Sequence, residues 1–421
     1  VRLFPLKQVI MKKQKANPAK SKVCVLKQLC NFIPGPLVAK LARQFGVDKK
    51  ARSFSPWSHV VSMLYAHLTH AIGLNDVCDG LVHHRGLLAS IRGASAPSRN
   101  GLSYANKHRD ARMAEELFWS VLKHLQSLSA GFAGGHFKGF PRRFKRVINI
   151  VDSTTIGLVA NCMDWAKHRR RKAAAKCHLR LDLQSFLPLF AIIDTAKDND
   201  AKRAREMCAA LKAGEIVLFD KAYIDLTHLF DLSLRGIYFV TRAKENMALR
   251  CVKKLLKKPK GNILRDDLVV LKNKKSRQDY PDAMRRVTAW VQVDGQWRVM
   301  VFLTNNLQWS PHTISELYRC RWAIETFFRQ IKQTLNLCDF LGHSANAVRW
   351  QIWSALLLYV LLRFQAWLSR WEHSFVRLFA LVRGVLWDRF DLRDLLDFYG
   401  TAGGRFRMRA TPQQAYFCGF G

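Results

Sequence analysis

Tyr318, Arg321, Glu325 and Lys332 project from one face of a segment that reads as a helix, residues 313–332. Ile314, Leu317, Ile324, Phe328, Ile331 and Leu335 recur there at helical spacing, and Thr313-Ile314-Ser315-Glu316 after Pro311 has the form of a capping box. At about 100° per residue the four polar residues fall within roughly 60° of one another, with the apolar stripe centred roughly 70° away. One stripe suits burial and its neighbour suits a cleft. A carboxylate flanked by a phenol and two cations is poor core material; it suits gripping a metal ion and a phosphodiester together.

Phosphodiester cleavage by two metal ions needs carboxylates from separate elements that meet at one point, because the ions sit about 3.5–4 Å apart. Asp152 closes the apolar run from Val147, and Asp220 closes a second run from Glu215. With Glu325 they form the expected catalytic and metal-binding set for two Mg²⁺ or Mn²⁺ ions, which favour hard oxygen ligands. A single aspartate at a strand end is ordinarily a turn cap or ion-pair partner; three acids on separate elements ask for more. Asp182 and Asp194 also sit on strand-like runs. Neither is followed by a motif such as Ser153-Thr154-Thr155 or Lys221-Ala222-Tyr223, so both read as structural or supporting.

The elements that must position these acids follow from the rest of the chain. Its 421 residues, 49% hydrophobic, suffice for two or three packed domains. Sixty-nine Lys and Arg against 31 Asp and Glu give a net charge of +38, which points to a polyanionic partner, nucleic acid above all. Basic clusters at 138–146, 167–180, 253–260 and 272–277 would let a long polyanion touch several sites. No sustained amphipathic basic helix favours a membrane surface.

From Leu37 to about Gln126 the pattern is helical. Val38 to Val47 resembles the first helix and turn of a helix-turn-helix, and Ser103 to Arg109, with Arg99 before it, reads as a recognition helix; ordinary helical hairpins are the competing reading. Arg99, Lys107 and Arg109 are its expected DNA contacts. Glycine-rich residues 131–139 suggest a linker. Strand-like runs then occupy 147–152, 178–183, 187–194, 215–220 and 237–240, with a helix over 201–213: an α/β region of mixed strand direction. Residues 247–305 read as a β insertion whose hairpin, 287–293 and 297–303, turns at Asp294-Gly295. A helical tail follows from 344. Its apolar stretch Ile352 to Leu362 is too short to cross a bilayer and reads as a buried helix. Ten scattered cysteines without zinc-like spacing read as reduced intracellular thiols, and no signal peptide is evident. The chain opens on Val1 with its first methionine at Met11, which leaves the natural start open.

Tyr318, Arg321, Glu325 and Lys332 match the Tyr-x-x-Arg-x-x-x-Glu-x-x-x-x-x-x-Lys signature of insertion-sequence-4-type DDE transposases. Ile150 to Thr155, Asp220 to Tyr223, Tyr238 to Lys244, and Phe340 to Ser344 through Gln351-Ile352 resemble further segments of the family. The likeness runs from about Val23 to Leu362. It implies an RNase H-like catalytic core carrying the acidic triad (residues 144–246 and 306–345), interrupted by a β insertion (247–305). A basic arm (1–22) and a helical DNA-binding domain (23–130) would precede the core, and a helical region (346–421) would follow it. The implied activity is Mg²⁺-dependent excision and insertion of a mobile DNA element, with a hairpin intermediate on its end. Tyr318, Arg321 and Lys332 would bind the DNA backbone near the cleaved end, and Lys221, Tyr223, Arg242 and Lys244 lie in matching motifs as further DNA contacts. Trp290 and Trp297 would stack on a displaced base, unless they pack across their own strands. The implied partners are double-stranded DNA, both element ends and target, and a second copy in the synaptic complex; the implied location is the bacterial cytoplasm, on the nucleoid.

Two other readings compete. A tyrosine recombinase would use Tyr318 as nucleophile, but leaves Asp152 and Asp220 without purpose. A DNA-binding repressor or inactive derivative would keep the fold without the chemistry.

Overall fold

The computed structural model describes residues 17–49, 53–134, 140–158, 167–169, 172–195, 200–293, 295–335, 337 and 339–399. The arm up to residue 16, the tail from 400, residues 135–139 of the expected linker and Asp294 of the hairpin turn lie outside them.

A single mixed sheet of ten strands runs through the middle: β1 (Ile148–Leu158), β2 (Lys167–Arg169), β3 (Lys172–Asp182), β4 (Pro188–Thr195), β5 (Ile216–Phe219), β6 (Tyr238–Arg242), β7 (Leu249–Lys254), β8 (Ile263–Leu271), β9 (Met284–Val293) and β10 (Gln296–Thr304). β1 pairs antiparallel with β3, and β3 with β4, while β1, β5 and β6 run parallel. The expected β insertion does not stand apart. β10 pairs antiparallel with β6, so the strands β10, β9, β8 and β7 extend the same sheet to its edge.

Alternation along the central strands assigns their faces. Ile148 and Ile150 on β1, Ile216 and Leu218 on β5, and Val240 on β6 join one apolar core. Val151, Val217, Phe219 and Phe239 join a second, covered by the helices Asp200–Cys208 and Leu226–Leu234. By the same alternation Asp152, Asp220 and Arg242 belong to the first face. That face carries the helices Pro311–Cys320 and Ala323–Arg329 and the 24-residue helix Ala345–Leu368.

The helix Ala345–Leu368 changes the expected division into domains. Its length and hydropathy would let it cross a membrane, and it is longer than the stretch read from the sequence, yet 83% of its most apolar window is buried inside the protein. It runs against the helices Pro56–Thr69 and Arg112–Leu128, and one apolar core joins residues 24–132 to the helices after 345. The amino- and carboxyl-terminal helical regions therefore form one body. The expected glycine linker begins instead as a helical turn, Ala130–Ala133, whose Phe132 meets Phe364 at 5.0 Å between ring centroids.

The expected helix-turn-helix is also revised. After the helix Leu37–Gln44 and the turn at Gly46, the chain enters Pro56–Thr69, which buries Ser58 through Leu68 without a break. A helix buried on every side belongs in a core and leaves no free face for a DNA groove.

Candidate active site

β1 and β5 bring the first two acids together by register. Val151 pairs with Phe219 in a parallel ladder, so Asp152 and Asp220, each one residue further on, leave neighbouring strands at the same level. Adjacent strands lie about 4.8 Å apart, which sets the spacing of the two carboxylate stems.

The segment carrying the third acid begins at Ser310, whose side chain accepts a hydrogen bond from Thr313 N, with Pro311 in the first turn. The cap thus lies three residues before the expected capping box, and Glu316 pairs with Arg319 instead. The helix is not continuous either. Arg321, Trp322, Ile324 and Glu325 each donate their backbone N–H to the carbonyl three residues back, a tight turn between Pro311–Cys320 and Ala323–Arg329. Residues 330–334 then widen into a π-helix, with Leu335 N donating to Gln330 O. Both departures shift the 100° phasing, and with them Tyr318, Arg321 and Lys332 face the sheet.

Three of the four reach the strands that carry the acids. Tyr318 Oη donates to Asp220 Oδ1 at 3.1 Å, Arg321 Nη1 to Asp152 Oδ2 at 2.6 Å, and Lys332 Nζ to Thr154 Oγ1 and Thr155 O at 3.1 Å each. Arg321 Nη1 also lies 3.6 Å from Glu325 Oε1. The guanidinium therefore stands between two of the three acids, 8% exposed, while Glu325 keeps 41% of its side chain in solvent. Arg321 Nε is buried with no hydrogen-bond partner among the described residues, so the fork has an unused donor inside the site.

Burial dominates the electrostatics. It pushes the Asp152 carboxyl up to about 6; Arg321 and the Ser153 N–H oppose it, and Glu325 and Asp220 add to it. Burial pulls against the Arg321 charge, but Asp152, Tyr318, Asp220 and Glu325 more than restore it and its pKa is raised. Burial pushes the Tyr318 hydroxyl up to about 12, so the phenol stays a donor. It lends no support to a phenolate nucleophile.

The other expected contacts divide. Arg242 closes β6 half-buried beside Tyr318, whose hydroxyl its charge holds down in part. Lys221 pairs with Glu245 at 3.3 Å, and Lys244 Nζ donates to Ile224 O at 3.1 Å. Tyr223 is 1% exposed within the opposite core, so the expectation of a DNA contact there does not hold. Arg109 fails for a similar reason: its guanidinium is turned inward onto the carbonyls of Phe54 and Ser55 and over the Phe54 ring. Arg99 and Lys107 lie on the exposed face of the helix Arg99–His108, capped by Ser98. Trp290 and Trp297 are 41% and 62% exposed on the projecting hairpin, opposite Val299 and Gln292 respectively. Asp182 caps its turn by accepting from Ser185 and Gln184, and Asp194 pairs with Arg203, both structural.

Three contributors escaped the sequence reading. Thr154 anchors Lys332, Phe302 lies 4.9 Å from the Tyr318 ring, and Trp322, 47% exposed, carries the Arg321 guanidinium 5.8 Å from its ring. Thr154 had its signal in the Ser153-Thr154-Thr155 motif, to which no contact was assigned, and Trp322 in being a large apolar side chain between two functional polar ones, where a helix face would be wet.

The donor chemistry of the acids suits a hard divalent cation. Asp152 feels the charges of Glu325 and Asp220, and its burial disfavours the ionised form, so a bound cation would be welcome there. Among the described residues, no group of three His, Cys, Asp or Glu side chains already has ligand spacing. The positive charge inside the cluster is that of Arg321.

A family model described as "Transposase DDE domain" matches residues 143–361, just over half of the chain, and one for a domain of unknown function, DUF4372, matches residues 21–91. The chain is 32% identical over 326 residues to "Putative transposase y4zB" of Sinorhizobium fredii, covering 76% of this chain and 86% of the relative. It is 28% identical over 273 residues to "Probable transposase for insertion sequence element IS5377" of Geobacillus stearothermophilus, covering 64% and 70%. Transposase InsG for insertion sequence element IS4 of Escherichia coli is 27% identical over 195 residues, 44% of this chain and 42% of that protein. By the extent of the domain match and by these relatives, the chain belongs to the DDE transposases.

Proposed function

We propose that the chain binds the ends of an insertion sequence and carries out metal-dependent DNA cleavage and strand transfer, with Asp152, Asp220 and Glu325 as the acidic triad. The observation that carries this reading is the convergence of Tyr318, Arg321 and Lys332 from one helical segment onto the strands of Asp220 and Asp152. The strand order β4-β3-β1-β5-β6, three antiparallel strands followed by two parallel ones, supports an RNase H-like core, with β7 to β10 as the insertion.

Asp152, Asp220 and Glu325 would hold two Mg²⁺ or Mn²⁺ ions, which when bound supply Lewis acidity at phosphorus and an activated oxygen nucleophile. The chain's own residues do the positioning. Arg321, with a free Nε and a fork suited to paired oxygens, exchanges its carboxylate partners for a phosphate of the DNA end. Tyr318 stays protonated and donates a hydrogen bond, while Lys332, held at Thr154, supplies a point charge on the other side. The exposed Trp290 and Trp297 support a hairpin route, in which a base of the bent end stacks on the projecting β9–β10 ribbon. Element ends, target DNA and a second copy of the chain are the partners of this cut-and-paste reading.

Glu325→Gln tests it. The variant should lose Mg²⁺-dependent nicking of an end-bearing duplex and keep gel-shift binding. Cleavage that survives in this variant, or that proceeds in EDTA, rejects the triad.

A further inference from the structure

The two described ends of the chain are laced together far from the acids in sequence. Ser21 N donates to Arg389 O at 2.8 Å, Leu26 N to Leu386 O at 3.0 Å, and Asp391 N to Ala19 O at 2.8 Å. Gln28 completes the clasp, its Nε2 donating to Phe390 O at 2.6 Å and its Oε1 accepting from Leu392 N at 2.9 Å. Between this clasp and the short helix Arg85–Ala89 lies a cavity of about 310 Å³. Lys22, Lys27 and Arg389 line it from the clasp side, and Gly86, Leu87 and Ser90 from the other. Among the described residues no acid lines it. None of the three cations has an ion-pair or side-chain hydrogen-bond partner among those residues either, whereas Arg205, Arg235 and Arg285 are each paired with an aspartate. A side chain at Gly86 would enter open space, so that wall of the cavity stays low and accessible.

We infer that this cavity is a seat for a DNA backbone phosphate. Three like charges from two ends of the chain, drawn together without a counter-ion, repel one another unless an anion joins them. The backbone lacing fixes where the three side chains leave the chain, so both ends present their charges to one opening without a backbone rearrangement. Lys22 and Arg389 are exposed and Lys27 half-buried, which suits a phosphodiester arriving from outside. The seat lies within residues 21–91, the matched domain of unknown function, together with Arg389 from the other end of the chain. The choice of duplex as the source of phosphate rests on the proposed DNA-acting function; the cavity itself does not.

The test measures binding of a random-sequence duplex across a salt series, without divalent metal and in the Glu325→Gln background. Failure there leaves the active-site reading untouched. Neutralising Lys22, Lys27 and Arg389 to Gln should flatten the salt slope by about 0.9 for each phosphate that the chain no longer neutralises, and weaken binding by about tenfold at moderate salt. A matched triple, Lys40, Lys123 and Lys212 to Gln, removes the same charge from exposed positions elsewhere and should change the slope less. A charge-keeping triple, K22R, K27R and R389K, should restore it even if the neutral one is less stable. Equal slopes in the pocket triple and the matched triple would overturn the inference. So would inorganic phosphate binding to the unmodified chain and not to the pocket triple while duplex affinity is the same in both, since the seat would then be one for a small free anion.

Discussion

Arg321 is the residue on which the site turns. Its charge compensates acids whose ligation of a divalent cation would do the same, so the two compete. Arg321→Gln should tighten Mn²⁺ binding to the DNA-free chain by about tenfold, equivalent to about 1.4 kcal/mol, while weakening end-DNA binding. Calorimetry or Mn²⁺ resonance reads this without any turnover; unchanged or weaker Mn²⁺ binding would show that the guanidinium does not stand in the ions' place. Asp152 carries a pH signature of its own. Its folded pKa, about 6, lies above the ordinary carboxylate value of 3.8, so its favourable contribution is fully present below that value and is lost as pH rises through about 6. Two units correspond to about 3 kcal/mol as an order of magnitude. Urea unfolding from about pH 4 to pH 8 should therefore show the unmodified chain losing stability relative to Asp152→Asn. Parallel curves would mean that burial does not govern this carboxyl.

At the scale of elements, the β9–β10 ribbon and the broken helix separate what is stable from what is functional. Trp297 and Trp290 are exposed, so replacing either by Ala should move stability by no more than about 0.5 kcal/mol. Nicking should persist while hairpin formation falls; equal loss in both steps, or a large drop in melting temperature, would assign the tryptophans to folding. Gly342 is the opposite case. A Cβ there would lie 2.7 Å from Ala347 Cβ, in the turn that Ser344 closes by capping Ala345–Leu368. Gly342→Ala should destabilise the chain measurably in thermal melts, because neither the turn nor the cap can move without unseating that helix. The sequence revealed this architecture unevenly. β5, β6 and the first half of β1 were legible as apolar runs, whereas the extension of β1 past Asp152 to Leu158, where it pairs only with β3, was not. The turn at Arg321-Trp322 and the π-helix at 330–334 were not, because a constant 100° phase is assumed when apolar residues are counted, while backbone bonding in those turns is set by tertiary packing. Arg109 and Tyr223 were misread as surface groups for a related reason: composition marks a cation or a phenol as available, and only packing shows which face it takes.

At the scale of the molecule, the site's rigidity is supplied by helices distant in sequence. His67, buried at the end of Pro56–Thr69, lies 2.9 Å from both Leu335 O and Gln351 O, and His70 Nε2 donates to Thr334 O at 2.8 Å. The amino-terminal helices thus hold the π-helix that aims Lys332, and the helix Ala345–Leu368 packs against both. Burial pulls His67 down to about 4, against the two carbonyls, of Leu335 and Gln351, that favour its charged form. A region so interleaved should not fold by itself. A fragment of residues 17–134 lacks Trp350, Trp353 and Phe364, which meet His59, Phe118, Phe32 and Phe132, and leaves the apolar sides of Pro56–Thr69 and Arg112–Leu128 in water. By circular dichroism and proton NMR it should show partial helix without fixed side-chain packing, and co-expression with residues 340–399 should restore a cooperative melt. A fragment that melts cooperatively alone would establish an independent amino-terminal domain, and the clasp between the chain's ends would then be a docking contact rather than part of one core.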